Sequence, residues 1–189
     1  MRAAFLALGG VLLAGPLCAQ AGDPEAGRQV AGQCRTCHGL TGLAEIPVAP
    51  NIGGEPQDYL AGQLRAFRSG TRENEMMSVV ASSLSDQQIA DVTAWYAAQV
   101  PTATLDADAA EAPELCAGCH GADGIAVVEG VPNLAGEPNI YIETQLKAFR
   151  SGRRENEVMS PIAADLSDAE IRAVSDWYAA VTLEMAAPE

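Results

Sequence analysis

The chain contains the same sequence twice, and this duplication limits the folds open to it. Residues 82 positions apart match without a gap from Cys34 onward, and about half of the aligned positions are identical. Two copies of this length predict two small, similar domains, because a solenoid needs more repeats. The clearest matches are Pro50-Asn51 with Pro132-Asn133, Gly54-Glu55-Pro56 with Gly136-Glu137-Pro138, Ala66–Gly70 with Ala148–Gly152, Arg72–Glu75 with Arg154–Glu157, and Trp95-Tyr96 with Trp177-Tyr178.

Each copy has a helical pattern. Apolar residues recur at helical spacing from Tyr59 to Phe67, and Gly70 then supplies a stop. Asp23-Pro24 predicts the start of an earlier helix. Strand-type alternation is nearly absent, so the expected fold class is all-α. A further helix in each copy begins at a capping box, Ser85-Asp86-Gln87-Gln88 or Ser167-Asp168-Ala169-Glu170.

The copies set the expected domain boundaries. The N-terminal domain is expected over residues 22–100 and the C-terminal domain over 114–189. Residues 101–113 join them and are rich in alanine and acidic residues, which predicts an exposed linker with a short extra helix as the alternative. Met185 is expected to lie beyond the folded part. Each domain has only about eighty residues and a thin core, so a cofactor that fills and staples the core is expected to be needed for folding.

The first 21 residues predict an export signal. Arg2 precedes an apolar run to Leu17, and Ala19-Gln20-Ala21 provides small residues for cleavage before Gly22. The run is shorter than the roughly 18–20 residues that a membrane span needs. An uncleaved anchor and a lipid anchor on Cys18 are the less favoured alternatives. The mature protein is therefore expected in the periplasm, without a transmembrane segment.

The charge is strongly acidic and unevenly distributed. Residues 22–100 contain 5 basic and 9 acidic side chains, whereas residues 101–189 contain 5 basic and 16 acidic ones. Such a surface argues against nucleic acid, whose phosphates require Lys and Arg. It favours steering toward basic protein surfaces.

All cysteines and histidines after Cys18 fall in two motifs, Cys34-Arg35-Thr36-Cys37-His38 and Cys116-Ala117-Gly118-Cys119-His120. Cys-x-x-Cys-His is the attachment pattern for c-type haem. Two thiols can reach the vinyl groups on one edge of the porphyrin while the next residue places an imidazole on the iron. A redox dithiol, half of a zinc site and a structural disulfide are the alternatives. A disulfide does not require the following histidine, and the two pairs are too far apart for a zinc ribbon.

Methionine is the remaining candidate for the opposite face of each iron. Met77 matches Met159 in the duplication, and each is followed by serine in a polar stretch where a loop could fold over the haem. A thioether is a soft, neutral donor, and His/Met ligation raises the haem potential. Met76 competes with Met77, but its counterpart is Val158. The alternative is that Met77 and Met159 only fill the core.

These motifs together resemble the cytochrome c4 family. The resemblance covers essentially the whole mature chain and implies two tandem class I cytochrome c domains that meet at a pseudo-twofold interface. It implies a periplasmic di-haem carrier that passes single electrons from a quinol-oxidising complex to a terminal oxidase or similar acceptor. Pro50 and Pro132 would each place a carbonyl against the proximal histidine. The implied haem residues are Cys34, Cys37, Cys116 and Cys119 as thioether anchors and His38, Met77, His120 and Met159 as axial ligands.

Other residues repeated in both copies have open roles. Arg68 with Arg150, or Arg72 with Arg154, are candidates to pair with haem propionates, and ordinary solvated charges are the alternative. The tryptophans Trp95 and Trp177 are expected mainly to pack in the core. The acidic C-terminal half predicts a lower potential for the C-terminal haem, because negative charge stabilises ferric iron.

Two other functional classes remain at this point. The chain could be the cytochrome subunit of a periplasmic dehydrogenase, for example a sulfide- or alcohol-oxidising complex. It could instead be a di-haem enzyme such as a peroxidase or a thiosulfate-oxidising enzyme. The last class needs a labile iron ligand, and the mature chain has no spare histidine or cysteine. An electron-transfer role without catalysis is therefore favoured.

Overall fold

The computed structural model describes residues 21–188. The predicted signal peptide falls almost wholly outside this range. The N-terminal domain contains five helices: α1 (Pro24–Ala31), α2 (Arg35–His38), α3 (Gln57–Ser69), α4 (Glu75–Ser82) and α5 (Asp86–Ala97). Helices α1 and α5 cross closely at Gly27, where a side-chain Cβ would lie 2.0 Å from the Asp91 backbone oxygen. Only glycine therefore permits this crossing.

The C-terminal domain repeats this arrangement after the motif. Its helices are α6 (Glu114–His120), α7 (Asn139–Arg150), α8 (Met159–Ala164) and α9 (Asp168–Ala179). The residues in register with α1, 106–113, contain no α-helix and only a single 3₁₀ turn at Ala109–Glu111. The two copies therefore share the fold from the motif onward and differ before it.

The expected helix boundaries are found where local side chains satisfy the backbone. Asp23 caps α1 by accepting from the Glu25 N–H at 2.9 Å, and Pro24 follows as the first helical residue. Both capping boxes are formed, at Ser85 and at Ser167. Helix α3 ends at Gly70, which has a left-handed φ of 80°. These ends confirm that the helix signals in the sequence were local and strong.

Two short strands were not expected from the sequence. Strand β1 (Val100–Thr104) pairs antiparallel with β2 (Thr182–Ala186), and Thr102 lies opposite Glu184. These two residues are 82 positions apart, so the local twofold axis passes through this pair. The ends of the two copies therefore meet each other, and the early part of segment 101–113 forms a strand where an exposed linker was expected.

The expectation that Met185 lies beyond the fold was wrong. It belongs to β2, and a Cβ placed on Gly53 would lie 2.8 Å from its sulfur. Met185 therefore packs against the N-terminal domain. Its counterpart in the first copy, Ala103, lies in β1. The C-terminal strand thus closes over the first copy.

The cores are small and helical. In the N-terminal domain Trp95 and Tyr96 on α5 pack with Leu60 on α3, and in the C-terminal domain Tyr178 on α9 packs with Ile142 and Phe149 on α7. Among residues 21–188, none of the helices has both the length and the apolar character required to cross a bilayer.

Candidate haem-binding sites

The first motif forms one tight helical turn. The Cys34 carbonyl accepts from the backbone N–H of Cys37 at 3.2 Å and of His38 at 3.0 Å. Residues three apart on a helix lie on the same face, so the two thiols project together. Both thiols are free, as are those of Cys116 and Cys119, so no disulfide consumes them. The thiol pairs are thus available to two neighbouring groups on a ligand edge.

Each motif histidine is buried and oriented by a backbone carbonyl. His38 is 7% exposed and its Nδ1 lies 2.9 Å from the Pro50 oxygen; His120 is also 7% exposed and its Nδ1 lies 2.8 Å from the Pro132 oxygen. Burial lowers the pKa of both imidazoles, and the carbonyl hydrogen bond opposes this only in part. Because Nδ1 donates to the carbonyl, the neutral tautomer leaves Nε2 free as a ligand.

The last helix of each domain holds the residues that follow the histidine. Trp95 Nε1 donates to the Leu40 oxygen at 2.8 Å, and the Tyr96 hydroxyl donates to the Gly39 oxygen at 3.1 Å. In the second copy Trp177 donates to Ala122 and Tyr178 to Gly121 at the same distances. The tryptophans thus pack and hydrogen-bond within the domain, as the core interpretation predicts.

The two candidate methionine ligands lie at the start of short helices, not in loops. Asn74 accepts from the Met77 N–H at 2.9 Å, and Asn156 accepts from the Met159 N–H at 2.9 Å. Both methionines therefore lie in a first helical turn, held by an asparagine oxygen, where a loop was expected. Met159 packs against the same core cluster as Cys116, and Met77 is also partly buried. Met76 is 63% exposed, which makes it the weaker candidate.

The two arginine pairs have different surroundings. Arg68 contacts Asp86, and Arg150 contacts Asp168 at 2.6 Å, so each already has a carboxylate partner at the surface. Arg72 and Arg154 are each only 9% exposed and donate to neutral oxygens of the opposite copy. These bonds form a reciprocal set: Arg72 to Tyr141 (3.3 Å) and Gln145 (2.8 Å), and Arg154 to Tyr59 (3.2 Å) and Gln63 (3.0 Å).

The guanidinium groups of Arg72 and Arg154 also stack on aromatic rings. Each lies 4.4 Å from a ring centroid, Phe67 for Arg72 and Phe149 for Arg154. Burial lowers the pKa of Arg72, and the nearby Arg154 adds to this effect. Within residues 21–188, neither arginine forms a salt bridge. Two buried cations without a carboxylate form a favourable environment for an anion.

A second reciprocal contact joins the copies through glutamates that the sequence interpretation left without a role. Glu55 accepts from the Asn133 N–H at 3.0 Å, and Glu137 accepts from the Asn51 N–H at 3.2 Å. Both carboxyls are buried, at 4% and 3% exposure. Burial raises the pKa of Glu55 to about 8, and the Asn133 N–H opposes that rise. Burial, with a contribution from Glu55, raises the pKa of Glu137 well above its usual range.

The signal for these contacts was present in the repeat. Glu55, Tyr59, Gln63 and Arg72 are each identical in the second copy, although the local structure of one copy does not require these side chains. Polar residues duplicated without a local reason are candidates for a twofold interface, because a twofold contact uses the same surface from both sides.

These residues fit two c-type haems. Each motif offers two free thiols on one helical face, followed by a buried, oriented imidazole, and no group of three or more His, Cys, Asp or Glu suited to a metal ion occurs among the described residues. Apolar side chains also remain exposed after the motifs and beside the candidate methionines. These are Leu43, Ile46, Val48 and Val79 in the first copy, and Val127 and Val128 in the second. An apolar macrocycle would cover such a surface.

Comparison with known proteins identifies the family. The family model described as "Cytochrome C oxidase, cbb3-type, subunit III" matches residues 105–177. The chain is 34% identical to cytochrome c4 of Pseudomonas aeruginosa over 83% of this chain and 88% of that protein. It is 34% identical to the "thiosulfate dehydrogenase electron acceptor" of Thiomonas intermedia over 95% of this chain and 90% of that protein.

A solved structure agrees with these matches. Reduced recombinant cytochrome c4 from Pseudomonas stutzeri superposes with a TM-score of 0.74 at 30% identity, covering 86% of this chain and all of that one. The resemblance inferred from the motifs is therefore confirmed over both copies. The chain belongs to the cytochrome c4 family, whose members are periplasmic di-haem electron carriers built from two class I cytochrome c domains.

Proposed function

We propose that this protein passes single electrons between a quinol-oxidising complex and a terminal oxidase or similar acceptor, through one haem c in each domain. The supporting observation is the complete duplication of the donor set. Each copy supplies two thiols, one oriented imidazole and one partly buried methionine, and no other histidine or cysteine follows Cys18. Two irons with both axial positions filled suit electron transfer, since substrate would have no open position.

Each residue of the site has a distinct task. When bound, the haem iron supplies the one-electron chemistry. Cys34 and Cys37 would anchor the first haem, with His38 as the proximal ligand and Met77 as the distal one. Pro50 fixes the His38 tautomer, and burial keeps water away. In the second domain the corresponding residues are Cys116, Cys119, His120, Met159 and Pro132.

We assign Arg72 and Arg154 as the side chains that balance haem propionates. Arg68 and Arg150 already pair with Asp86 and Asp168, whereas Arg72 and Arg154 are buried with neutral oxygen partners. A buried guanidinium gains most from a charge-assisted partner, and haem carboxylates would supply it.

Methionine substitutions test the iron ligands. Met77→Ala and Met159→Ala are each expected to remove the iron–sulfur charge-transfer absorption of one haem while both haems stay covalently attached. Met76→Ala is the matched control, since that side chain is 63% exposed and should leave the spectrum unchanged. Covalent haem is counted by mass, with two per chain expected. If Met77→Ala keeps the full sulfur signal, the ligand assignment is wrong.

A dedicated acceptor role is the second candidate. The Thiomonas relative is named as the electron acceptor of a thiosulfate dehydrogenase and aligns with 95% of this chain. Stopped-flow reduction of the native protein by a purified thiosulfate dehydrogenase and by a quinol-oxidising complex separates the two. Faster reduction by the dehydrogenase would favour the acceptor role. Turnover of thiosulfate by this chain alone would instead show an enzyme.

Export is part of the same proposal. Residues 1–21 would direct the chain to the periplasm, with cleavage before Gly22. Intact mass of the native protein distinguishes this form from an uncleaved or lipidated one. A mass that includes residues 1–21 would contradict cleavage.

A further inference from the structure

The interface glutamates lie one peptide group away from the proximal histidines. The peptide bond between Pro50 and Asn51 has its oxygen 2.9 Å from His38 Nδ1 and its N–H 3.2 Å from a Glu137 carboxyl oxygen of the other domain. The same peptide group therefore accepts from the histidine and donates to the glutamate.

The second copy has the same arrangement in the opposite direction. The Pro132 oxygen lies 2.8 Å from His120 Nδ1, and the Asn133 N–H lies 3.1 and 3.0 Å from the two Glu55 oxygens. Each glutamate thus contacts the peptide group that orients the proximal histidine of the other domain.

The asparagine side chains make these peptide groups rigid. Asn51 Oδ1 accepts from the Ala44 N–H at 2.9 Å in its own domain, while its Nδ2 donates to the Gly136 oxygen at 3.0 Å across the interface. Asn133 makes the matching pair with Ala126 at 2.9 Å and Gly54 at 3.1 Å. The peptide groups are therefore held from both sides, with little freedom to turn away from the glutamates.

We propose that Glu55 and Glu137 are positioning residues that act across the interface, each tuning the proximal histidine of the opposite domain through a single peptide group. This inference rests on the proposed function, because it takes His38 and His120 as iron ligands. A carboxylate that accepts from the peptide N–H polarises the carbonyl at the other end of that peptide. The carbonyl then becomes a stronger acceptor for the Nδ1–H of the histidine. The imidazole in turn donates more electron density to the iron, which favours the ferric state.

Protonation of the glutamates would weaken this effect. The titratable groups around the pair are the two carboxyls themselves and Tyr141. The Tyr141 hydroxyl in turn accepts a hydrogen bond from the Arg72 guanidinium. Because burial holds these carboxyls protonated to unusually high pH, the charged form gains population only in alkaline solution. The tuning by Glu55 is therefore expected to be strongest above about pH 8, and that by Glu137 is likewise expected only in alkaline solution.

Glutamine substitutions test the proposal, because glutamine keeps the size and one acceptor oxygen but cannot become charged. The potential of each haem is measured in the full-length holoprotein from pH 6 to pH 10, with the two haems distinguished by their NMR resonances. Glu137→Gln is expected to raise the potential of the haem on His38, and Glu55→Gln that of the haem on His120. Loss of an outer partner of a metal ligand commonly changes an equilibrium by about 10-fold, which corresponds to about 59 mV for one electron.

The crossed pattern and the pH profile decide the outcome. The difference in haem potential between wild type and variant should be small at pH 6 and grow toward pH 10. Titration of the haem carboxylates affects both proteins equally, so it cancels in this difference. Glu25→Gln, which removes an exposed carboxyl on α1 outside the segments assigned to the haem, is the control and should shift neither haem. A shift confined to the glutamate's own domain, equal shifts at both haems, or a difference independent of pH would overturn the proposal.

Two further readouts keep the test informative. If a variant fails to fold, the wild-type protein alone should still show potentials that fall with rising pH above about pH 8, and a flat profile there would count against the proposal. If the wild type lacks two histidine/methionine-ligated haems by spectroscopy, the proposed function fails. If it has them but the glutamine variants show no crossed shift, only the cross-interface tuning fails.

Discussion

Removal of the Asn51 side chain should weaken the contact between the two domains. This side chain is 6% exposed, accepts from the Ala44 N–H at 2.9 Å, and donates to the Gly136 oxygen at 3.0 Å. Each such bond contributes about 0.5–1.5 kcal/mol net, and an N–H left without a partner costs about 1–3 kcal/mol more. Asn51→Ala is therefore expected to lower the free energy of unfolding by about 3 kcal/mol. For a chain of this size, that corresponds to a fall in Tm of roughly 6–12 °C.

The assay is unfolding of the holoprotein by heat and by guanidinium, followed by both haem absorption and far-UV circular dichroism. Agreement of the two probes justifies a two-state treatment. Asn139→Ala is the control: it removes one exposed hydrogen bond to Asp176 and should change stability by less than about 0.5 kcal/mol. Asn51→Ala with the same midpoint as Asn139→Ala would refute the interpretation of Asn51 as a link between domains.

The helix caps, the buried glutamates and the surface charge each give a further prediction. Ser85→Ala removes a capping box and should destabilise the protein by about 1 kcal/mol in guanidinium unfolding without a change in either haem potential. Because the folded-state pKa of Glu55 is raised from 4.5 to about 8, the folded state binds more protons between these values, so stability should fall as pH rises through this range. Unfolding midpoints should show a shallower decline for Glu55→Gln, and an unchanged slope would contradict the burial argument. Site-resolved redox titration of the full chain should give the lower potential for the C-terminal haem, and the reverse order would show that the acidic surface does not decide which haem is reduced first.

Local signals made much of the fold predictable. The capping boxes, the stop at Gly70 and the Asp23-Pro24 start each depend on residues within one turn of the helix end, so neighbouring sequence is sufficient to locate them. The haem motifs are equally local, since Cys34 to His38 form one turn. The residues at which the short helices α4 and α8 begin were harder to predict. Met77 and Met159 lie in the first turns of α4 and α8, where Asn74 and Asn156 accept from their backbone N–H groups, whereas the polar context suggested a loop.

Contacts between the copies were not predictable from either copy alone. Strands β1 and β2 have only five residues each, too few for their alternation to stand out in the sequence, and they pair because the twofold places two equivalent segments side by side. Arg72 gave no indication of its partners, since Tyr141 and Gln145 are about seventy residues away. The duplication contains an indirect signal: a polar side chain kept in both copies without a role in its own helix is a candidate for the surface they share.

The interface is nearly symmetric, and the charges outside it are not. The glutamate, asparagine and arginine contacts occur in both directions with similar distances, so they perturb the two haem sites by similar amounts. By contrast, residues 101–189 contain 7 more acidic side chains than residues 22–100 with the same number of basic ones. A difference between the haem potentials must therefore arise mainly from surface charge and local solvent exposure. The shared interface would then couple the two sites, while the unequal surfaces would set the direction in which an electron moves between them.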